Sequence, residues 1–353
     1  MPSSDGHDPT AADSRPRVPD QLKLVDCAVV IVTYNSAREI TGLLESLPAA
    51  ADGLTLRIVV VDNGSTDATL QRVRAWPGVS CVETGANLGY AGGINVGRER
   101  AGEYSALLVL NPDVVLEAGA LREMVAALDD PRVGIVAPML LDADGRRYPS
   151  LRRDPTVARA IGDGLLGSRI GHRPGWLSEM VRDESPYGYQ HAVDWATGAV
   201  LLISAVCDRA VGGWDERFFL YSEETDYAAR ARAAGFRVEY LPTARARHRG
   251  GASGQSSTLL ALSAVNRIRY MEKRRQWPRA FRAAVMLHEL LRSGDAGHRT
   301  ALRFILHRAD WPALVGSLQD RPGHHCQGED TASWPNSRSS RRATRQTSSS
   351  AGT

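Results

Sequence analysis

Runs of apolar residues recur along the first half of the chain, and each stops abruptly at polar or glycine-rich residues. Cys27–Thr33 and Leu56–Val61 are nearly continuous apolar runs, as expected for parallel strands that are covered on both faces. A weaker run covers Val79–Glu83, and a fourth covers Ala106–Leu110. Apolar positions with helical spacing follow the first two runs. This alternation predicts an α/β fold with a doubly wound, mostly parallel sheet and right-handed crossovers.

The polar ends of these strands should meet at one edge of the sheet. They are Tyr34–Ser36, Asp62–Asp67, Asn87–Asn95 and Asn111–Asp113. In open α/β sheets, ligands bind outside the carboxyl ends of the strands, where backbone N–H groups and small side chains accommodate a phosphate or a ribose. Each segment alone fits ordinary turn or N-cap chemistry better than a ligand site. Four in series favour a ligand site.

Asp113 is the acid in the most distinctive of these segments. Pro112 should end strand pairing, which leaves the carboxylate just past the strand. One acid in that place is a natural ligand for a hard cation that bridges nucleotide phosphates. The alternative is a turn in which Asp113 caps a helix near Glu117–Leu128.

The second half of the chain predicts a fifth strand at Val133–Ala137, and then an irregular surface loop or lid over Arg152–Gln190. Glu223, Glu224 and Asp226 follow an aromatic stretch and begin a helix. Acids suit the first turn of a helix. The aromatic flank would also raise the proton affinity of a carboxylate, as a general base requires.

A further strand over Phe236–Leu241 leads to His248, which lies between two arginines. A histidine in that setting is usually a surface residue. In a nucleotide site it would serve as a second metal ligand or as a phosphate donor.

Composition narrows the class of protein. A net charge of +3 over 353 residues does not indicate nucleic acid, and the four cysteines show no C-x-x-C pattern. No apolar run reaches the roughly 18 residues that a membrane span needs. Lys and Arg outnumber Asp and Glu between Arg267 and Arg308 on helices with an apolar stripe. Such helices either lie on an anionic membrane or cap the domain with a solvated face.

We therefore expect four regions: a disordered leader over 1–22, a main domain over 23–254, a basic amphipathic helical extension over 255–318 and a disordered tail over 319–353.

The series of segments resembles the family 2 glycosyltransferases with the GT-A fold, a Rossmann-like architecture, and within them the bacterial rhamnosyltransferase-type members. The resemblance runs in order from Cys27 to Gly254. The segments that carry it are Val32–Asn35, Val61–Asp67, Asn87–Asn95, Asn111–Asp113, Gly213–Asp226 and His248.

The resemblance implies roles for these residues. The nucleoside pocket would be lined by Thr33, Tyr34, Asn35 and Asp62, with Asp62 accepting from the pyrimidine ring. The ribose, the diphosphate and the rest of the nucleotide sugar would lie near Asn63, Asn87, Gly89, Asn95 and Asn111. The acceptor side would comprise Thr197, Gly198, Trp214, Asp215 and Glu223. Asp113 stands at the position of the family's metal-binding acid, usually with Mg²⁺ or Mn²⁺, and His248 matches a position that can complete that site.

The resemblance also implies an inverting mechanism with Glu224 as the catalytic base. The family usually has Asp at this position, so the carboxylate of Glu224 reaches about 1.3–1.5 Å further, and Asp226 is the fallback candidate. A second departure is Ser204, which stands where many relatives carry a basic residue. Single displacement needs no covalent intermediate, so a retaining enzyme or a two-carboxylate hydrolase is disfavoured.

The expected reaction is transfer of L-rhamnose from dTDP-rhamnose to a glycan, a lipid-linked sugar or a small aglycone. The alternatives are another sugar (galactofuranose, N-acetylglucosamine or glucose) and a relative that binds nucleotide sugar but is catalytically impaired. A Rossmann dehydrogenase or a nucleotidyltransferase is disfavoured because Gly89–Gly93 lacks the G-x-G-x-x-G pattern. We expect a cytoplasmic protein, with contact at the inner face of the membrane as an option, and the oligomeric state stays open.

Overall fold

One large mixed sheet contains the apolar runs of the first half of the chain. The computed structural model describes residues 24–166, 174–250 and 256–319. The expected leader, nearly all of the expected tail and Gly254, where the resemblance ends, lie outside these residues. The strands are β1 (Val25–Thr33), β2 (Leu56–Asp62), β3 (Val79–Glu83), β4 (Tyr104–Leu110), β5 (Val114–Leu116), β6 (Val133–Leu141), β7 (Leu151–Arg152), β8 (His191–Val193), β9 (Trp195–Ala196), β10 (Val200–Ser204) and β11 (Arg237–His248).

The sheet has the order β3-β2-β1-β4-β10-β6-β11-β5, with β8 also on β11. The first four strands are parallel, as the alternation of strand and helix predicts. β10 then enters antiparallel between β4 and β6, and β5 pairs antiparallel with β11. Because β1 and β2 are parallel and in register, Thr33 lies beside Asp62 at their carboxyl ends. The expected meeting of strand ends is therefore present.

Helices cover both faces of this sheet and continue into the C-terminal part. They are α1 (Ile40–Ala51), α2 (Thr69–Arg74), α3 (Gly89–Arg100), α4 (Ala120–Ala126), α5 (Val157–Leu166), α6 (Ala205–Val211), α7 (Glu223–Ala233), α8 (Ser257–Arg274), α9 (Pro278–Leu291), α10 (Ala296–Leu306) and α11 (Trp311–Gln319). None of the helices in the described ranges is both long and apolar enough to cross a bilayer.

Three expectations need correction. The stretch Arg152–Gln190 is not irregular throughout, because it contains the ten-residue helix α5. The strand expected over Phe236–Leu241 continues as far as His248. Asp113 does not cap a helix, because the strand β5 separates it from α4.

The core has two layers against the sheet and a third among the C-terminal helices. Leu44 and Leu108 belong to the layer that includes α1, and Val30 and Ile94 belong to the layer that includes α3. Helix α3 approaches the sheet so closely that a Cβ on Gly97 would lie 2.4 Å from a methyl group of Val30. The third layer joins α8–α11 to Phe218 and Phe219. The extension is therefore packed against the segment that precedes α7.

Candidate active site

Hydrogen bonds join the loops after β1 and β2 around Asp62. The carboxylate is 1% exposed, and it accepts hydrogen bonds from Thr33 Oγ1 at 3.0 Å and from the N–H and hydroxyl of Ser65 at 2.9 and 2.6 Å. Asn35 adopts a left-handed conformation (φ 51°) and accepts from the N–H of Thr66 at 2.8 Å. Half-buried Tyr34 lies between Thr33 and Asn35. These four expected nucleoside-pocket residues are therefore brought together.

The second group of expected donor-site residues supports Gly89. Asn63 is buried and donates to the carbonyl of Gly89 at 2.8 Å, and Asn87 accepts from the N–H of Gly89 at 2.9 Å. Gly89 has φ +74°, and a Cβ there would lie 2.4 Å from the carbonyl oxygen of Phe219. Only glycine fits this close approach.

Asn95 and Asn111 make backbone contacts with the second half of the chain. The side-chain amide of Asn95 accepts from the N–H of Trp214 at 2.8 Å, and it donates to the carbonyl of Trp214 at 2.9 Å. It also donates to Glu216 at 2.8 Å. The N–H of Asn111 donates to the carbonyl of Ala199 at 3.0 Å. Asn95 thus fastens α3 to the segment that leads to α7, and its amide is engaged there.

Asp113 and His248 face each other across the paired strands β5 and β11. Oδ1 of Asp113 lies 3.2 Å from Nε2 of His248, and Oδ2 accepts from the N–H of Gly250 at 3.2 Å. Burial alone would raise the pKa of Asp113, but the hydrogen bonds from His248 and Gly250 bring this pKa below its usual value. Nδ1 of His248 is buried without a hydrogen-bond partner among the described residues. An ionised carboxylate and an imidazole nitrogen are therefore adjacent.

Glu223 and Glu224 begin helix α7 beside the loop before β10. A Cβ on Gly198 would lie 3.5 Å from Cβ of Glu224. One carboxylate oxygen of each acid is buried without a hydrogen-bond partner in the described part of the chain. Burial raises the pKa of Glu224, against the opposing charge of Arg152. Burial and the charge of Glu224 raise the pKa of Glu223 well above its usual range.

Asp226 and Asp215 are held by cations. Asp226 is 1% exposed and lies 2.7 Å from Arg230 Nε and 2.7 Å from Lys273 Nζ. Asp215 lies 2.6 Å from Arg217 and 2.7 Å from the same Lys273 Nζ. Its hydrogen bonds with Arg217 and Lys273 hold the pKa of Asp215 well below its usual range. Lys273 therefore ties α8 to both acids.

The other acceptor-side candidates differ in accessibility. Trp214 is 3% exposed and stacks on Tyr227, with ring centroids 4.4 Å apart. Thr197 and Gly198 are half-buried, and the hydroxyl oxygen of Thr197 is buried without a partner among the described residues. Thr197 and Gly198 lie in the loop beside Glu224, whereas Trp214 belongs to the core.

Two residues of the site were missed by sequence reasoning. The hydroxyl of Tyr90 donates to the carbonyl of Gly198 at 3.1 Å. Burial and the charges of Glu223 and Glu224, with a smaller effect of Asp113, raise the pKa of Tyr90. Arg152 acts on Glu224 through its charge. Tyr90 stands inside the Asn87–Asn95 motif, which was a usable signal, whereas Arg152 lies in a stretch with no recognisable pattern.

The turn before α7 is strained and is held from two sides. Phe219, Tyr221 and Ser222 have φ values of 62°, 71° and 70°, which are unfavourable for residues with side chains. The N–H groups of Tyr90 and Ala91 donate to the carbonyl of Phe219 at 2.6 and 3.3 Å.

From the opposite side, α8 contributes the fully buried Asn266. Its amide nitrogen donates to the carbonyls of Leu220 at 2.9 Å and Tyr221 at 3.1 Å, and also to that of Phe218. The turn and its two supports place Glu223 and Glu224.

The fold is the GT-A fold of glycosyltransferases, and the sequence relatives described below make the protein a glycosyltransferase that uses a nucleotide sugar. Solved structures of the same fold include a mannosyltransferase from Pyrobaculum calidifontis in complex with GDP-Man and Mn²⁺ (TM-score 0.51, 18% identity, 85% of this chain and 81% of that chain). Another is GalNAc-T7 with UDP, GalNAc and Mn²⁺ (TM-score 0.53, 16% identity, 70% of this chain and 48% of that chain).

The chain belongs to glycosyltransferase family 2. The family model described as "Glycosyl transferase family 2" matches residues 28–182. The N-acetylglucosaminyl-diphospho-decaprenol L-rhamnosyltransferase of Mycobacterium tuberculosis is 34% identical over 232 residues, which cover 62% of this chain and 75% of that protein. The rhamnosyltransferase WbbL of Escherichia coli is 26% identical, with 62% and 82% covered. The protein is rhamnosyltransferase-like within its family.

Loss of the amide of Asn266 should destabilise the turn. We expect Asn266→Ala to lower the free energy of unfolding by about 1–3 kcal/mol, because the carbonyls of three residues lose a donor inside the protein. Asn266→Asp should cost more, since it directs a carboxylate at those carbonyls. Urea denaturation followed by circular dichroism measures both. Ser317→Ala is the matched control, because it removes one helical bond to Leu314 and should change stability by less than about 0.5 kcal/mol. An unchanged midpoint in Asn266→Ala would contradict this role.

Proposed function

We propose that the protein transfers L-rhamnose from dTDP-L-rhamnose to a hydroxyl of a lipid-linked sugar, with inversion and in a single displacement. The observation that carries the proposal is the buried oxygen of Glu224, which has no protein partner in the described part of the chain and lies at the loop before β10. The names of the Mycobacterium and Escherichia relatives support rhamnose, and that of the former supports a lipid-linked acceptor. The same arrangement of Glu224 and the loop before β10 would also serve transfer of another sugar, or transfer to another glycan or a small aglycone.

Glu224 is the proposed base, in preference to Asp226. A base must have a lone pair directed at the acceptor and must gain a proton as the acceptor oxygen attacks. Both oxygens of Asp226 are engaged with Arg230 and Lys273, whereas Oε2 of Glu224 is unengaged in the described residues. Burial of Glu224 also raises its pKa, which increases its strength as a base. The longer side chain, relative to the Asp usual in the family, is accommodated beside Gly198.

Asp113 and His248 are the proposed holders of a divalent cation, Mg²⁺ or Mn²⁺. The donor set fits, because carboxylate oxygen suits both metals and the imidazole nitrogen lies within 3.2 Å of it. When bound, the cation would neutralise charge that grows on the leaving diphosphate. Gly250 fixes Asp113 through its N–H group, so the carboxylate is already oriented.

The nucleoside is proposed to bind along Thr33, Tyr34, Asn35 and Asp62. Thr33 and Ser65 orient the carboxylate of Asp62, and its remaining lone pairs would accept from the pyrimidine N–H. The diphosphate and the ribose are proposed to lie along the turn at Asn87–Gly89 and near Asn111.

The acceptor is proposed to approach over Thr197 and Gly198, towards Glu224. The unpartnered hydroxyl of Thr197 is a suitable contact for a sugar hydroxyl. Glu223 lies beside Glu224 on this side, with one carboxylate oxygen buried and without a partner among the described residues. Trp214 and Asp215 support this side through packing and ion pairs. Peripheral contact with the inner face of a membrane, expected from the basic helices, belongs to the same proposal.

A donor screen tests the proposal. We expect turnover of dTDP-L-rhamnose with a polyprenyl-diphosphate-linked N-acetylglucosamine acceptor in the presence of Mg²⁺, and loss of turnover in EDTA that added Mg²⁺ or Mn²⁺ restores. Release of dTDP and mass analysis of the acceptor measure it. Full turnover in EDTA would refute the metal role. If calorimetry shows binding of nucleotide sugar but no acceptor gives turnover, the protein would instead be a catalytically impaired relative. The presence of Glu224, where the family usually has Asp, supports that alternative.

Glu224→Gln should abolish base catalysis while leaving the donor site intact. We expect kcat to fall about 10²–10⁴-fold, because an amide cannot accept the proton, with the Kd for dTDP-rhamnose unchanged. Steady-state kinetics and calorimetry measure the two effects. Glu224→Asp, which restores the residue usual in the family, is the matched comparison and should retain measurable turnover. Wild-type activity in Glu224→Gln would exclude Glu224 as the base.

The pH profile should report the raised pKa of Glu224. Because the base must be deprotonated, activity should fall on acidification at a higher pH than for an ordinary glutamate. The charge of Arg152 lowers the pKa of Glu224, so Arg152→Met should move the acid limb of kcat/KM to still higher pH. Arg152→Lys keeps the charge and should leave the limb near its original position. A limb that stays in place in Arg152→Met would show that another group titrates.

A further inference from the structure

Exposed apolar side chains concentrate on one part of the surface. Twelve large apolar side chains are exposed in the described ranges, and six of them lie on α5, on α9 or at the residue that precedes α9. Scattered single exposures are normal, whereas clusters on adjacent elements mark interaction sites. We call this surface the α5–α9 face; its members are Ile161, Leu165, Trp277, Leu287, Leu290 and Leu291.

The two helices of this face pack directly on each other. A Cβ on Gly164 of α5 would lie 3.2 Å from Cβ of His288 on α9, and Arg292 donates to the carbonyl of Gly164 at 2.9 Å. Leu287, Leu290 and Leu291 recur at the spacing of one helical stripe. They are 39%, 59% and 56% exposed, so α9 presents a second apolar side in addition to the one it buries in the core.

Tryptophan marks the borders of the face. Trp277 is 80% exposed at the start of α9, in a left-handed conformation (φ 49°). Trp176 is 63% exposed in the turn that packs against α5, where Gly162 of α5 approaches Leu177. An indole ring at the rim of an apolar surface suits the boundary between water and lipid headgroups.

Arginines that form no ion pair within the described ranges flank Trp277 in the sequence. Arg274, Arg275 and Arg279 lie within three residues of it. The acids of the same stretch are engaged elsewhere, since Glu272 pairs with Arg308 at 2.8 Å and Glu289 with His298 at 2.6 Å. An arginine-rich border around leucine and tryptophan complements an anionic bilayer. A second copy of the chain with the same border would offer no such complement.

We propose that the α5–α9 face lies on an anionic lipid bilayer, with Trp277 at the level of the headgroups and Leu287, Leu290 and Leu291 in the outer acyl region. The choice of a bilayer rests in part on the proposed function, because a lipid-linked acceptor is presented there. Helix α8 connects the face to the active site, since Asn266 and Lys273 hold the segment that carries Glu224. Docking therefore fixes the orientation of the active site relative to the membrane.

Vesicle flotation of the full chain tests the proposal. We expect binding to vesicles of phosphatidylglycerol and phosphatidylcholine, weak binding to phosphatidylcholine alone, and loss of binding as salt is raised. The triple variant Trp277→Ala, Leu290→Ser, Leu291→Ser should bind at least about 10-fold more weakly, because it removes most of the inserting surface. Val206→Ser is the matched control, since Val206 is 61% exposed on α6 and away from the face.

Hydrolysis of the nucleotide sugar without acceptor should be the same in all variants, which shows that they fold. If the chain binds anionic vesicles but does not use dTDP-rhamnose, the proposed donor is refuted and the docking of the α5–α9 face is still supported. Equal flotation of the triple variant and the wild type would overturn the proposal, as would a wild type that ignores anionic vesicles. A dimer in light scattering that the triple variant converts to a monomer would also overturn it, because a second copy would then be the occupant.

Discussion

The strained turn from Phe219 to Ser222 is the constraint on which the active site depends. Non-glycine residues in left-handed conformations cost on the order of 1–3 kcal/mol each and persist only where the surroundings determine them. Here Gly89 permits the close approach from α3, and Asn266 satisfies the carbonyls from α8. Glu223 and Glu224 follow the turn directly. The position of the proposed base is thus set by residues more than 40 positions later and more than 120 positions earlier in the chain.

The parts of the fold that sequence predicts are those governed by local pattern. The strands β1, β2 and β4 are apolar runs with polar ends, and they lie where the runs predict them. The antiparallel entry of β10 was not predicted, because a short apolar run carries no information on strand direction. Helix α5 was missed because Gly162 and Gly164 interrupt its pattern. Both glycines are needed for packing, against Leu177 and His288, and that requirement is visible only in three dimensions.

In the candidate site too, local sequence pattern predicts some features and tertiary contacts decide the others. Asp113 could be singled out by its place after a strand, but its partner His248 is brought to it by the pairing of β5 with β11, which no local pattern reveals. Asn63 and Asn95 have the chemistry of ligand-binding residues, yet their amides serve internal contacts. Ser204 has a local explanation, since its hydroxyl caps α6 by accepting from the N–H of Cys207 at 3.2 Å. Residue type therefore indicates chemistry, and tertiary contacts decide how it is used.

The side-chain amide of Asn95 both donates to and accepts from the backbone of Trp214, and this joint bears on which parts of the site can change independently. It joins α3, which follows a loop proposed to bind the donor, to the segment that leads to Glu224. On the side of residue 214 it uses only main-chain atoms, so it is insensitive to the side chain at that position. Under the proposed function, substitutions around this joint can therefore change the acceptor side while the loops proposed for the nucleotide stay in place.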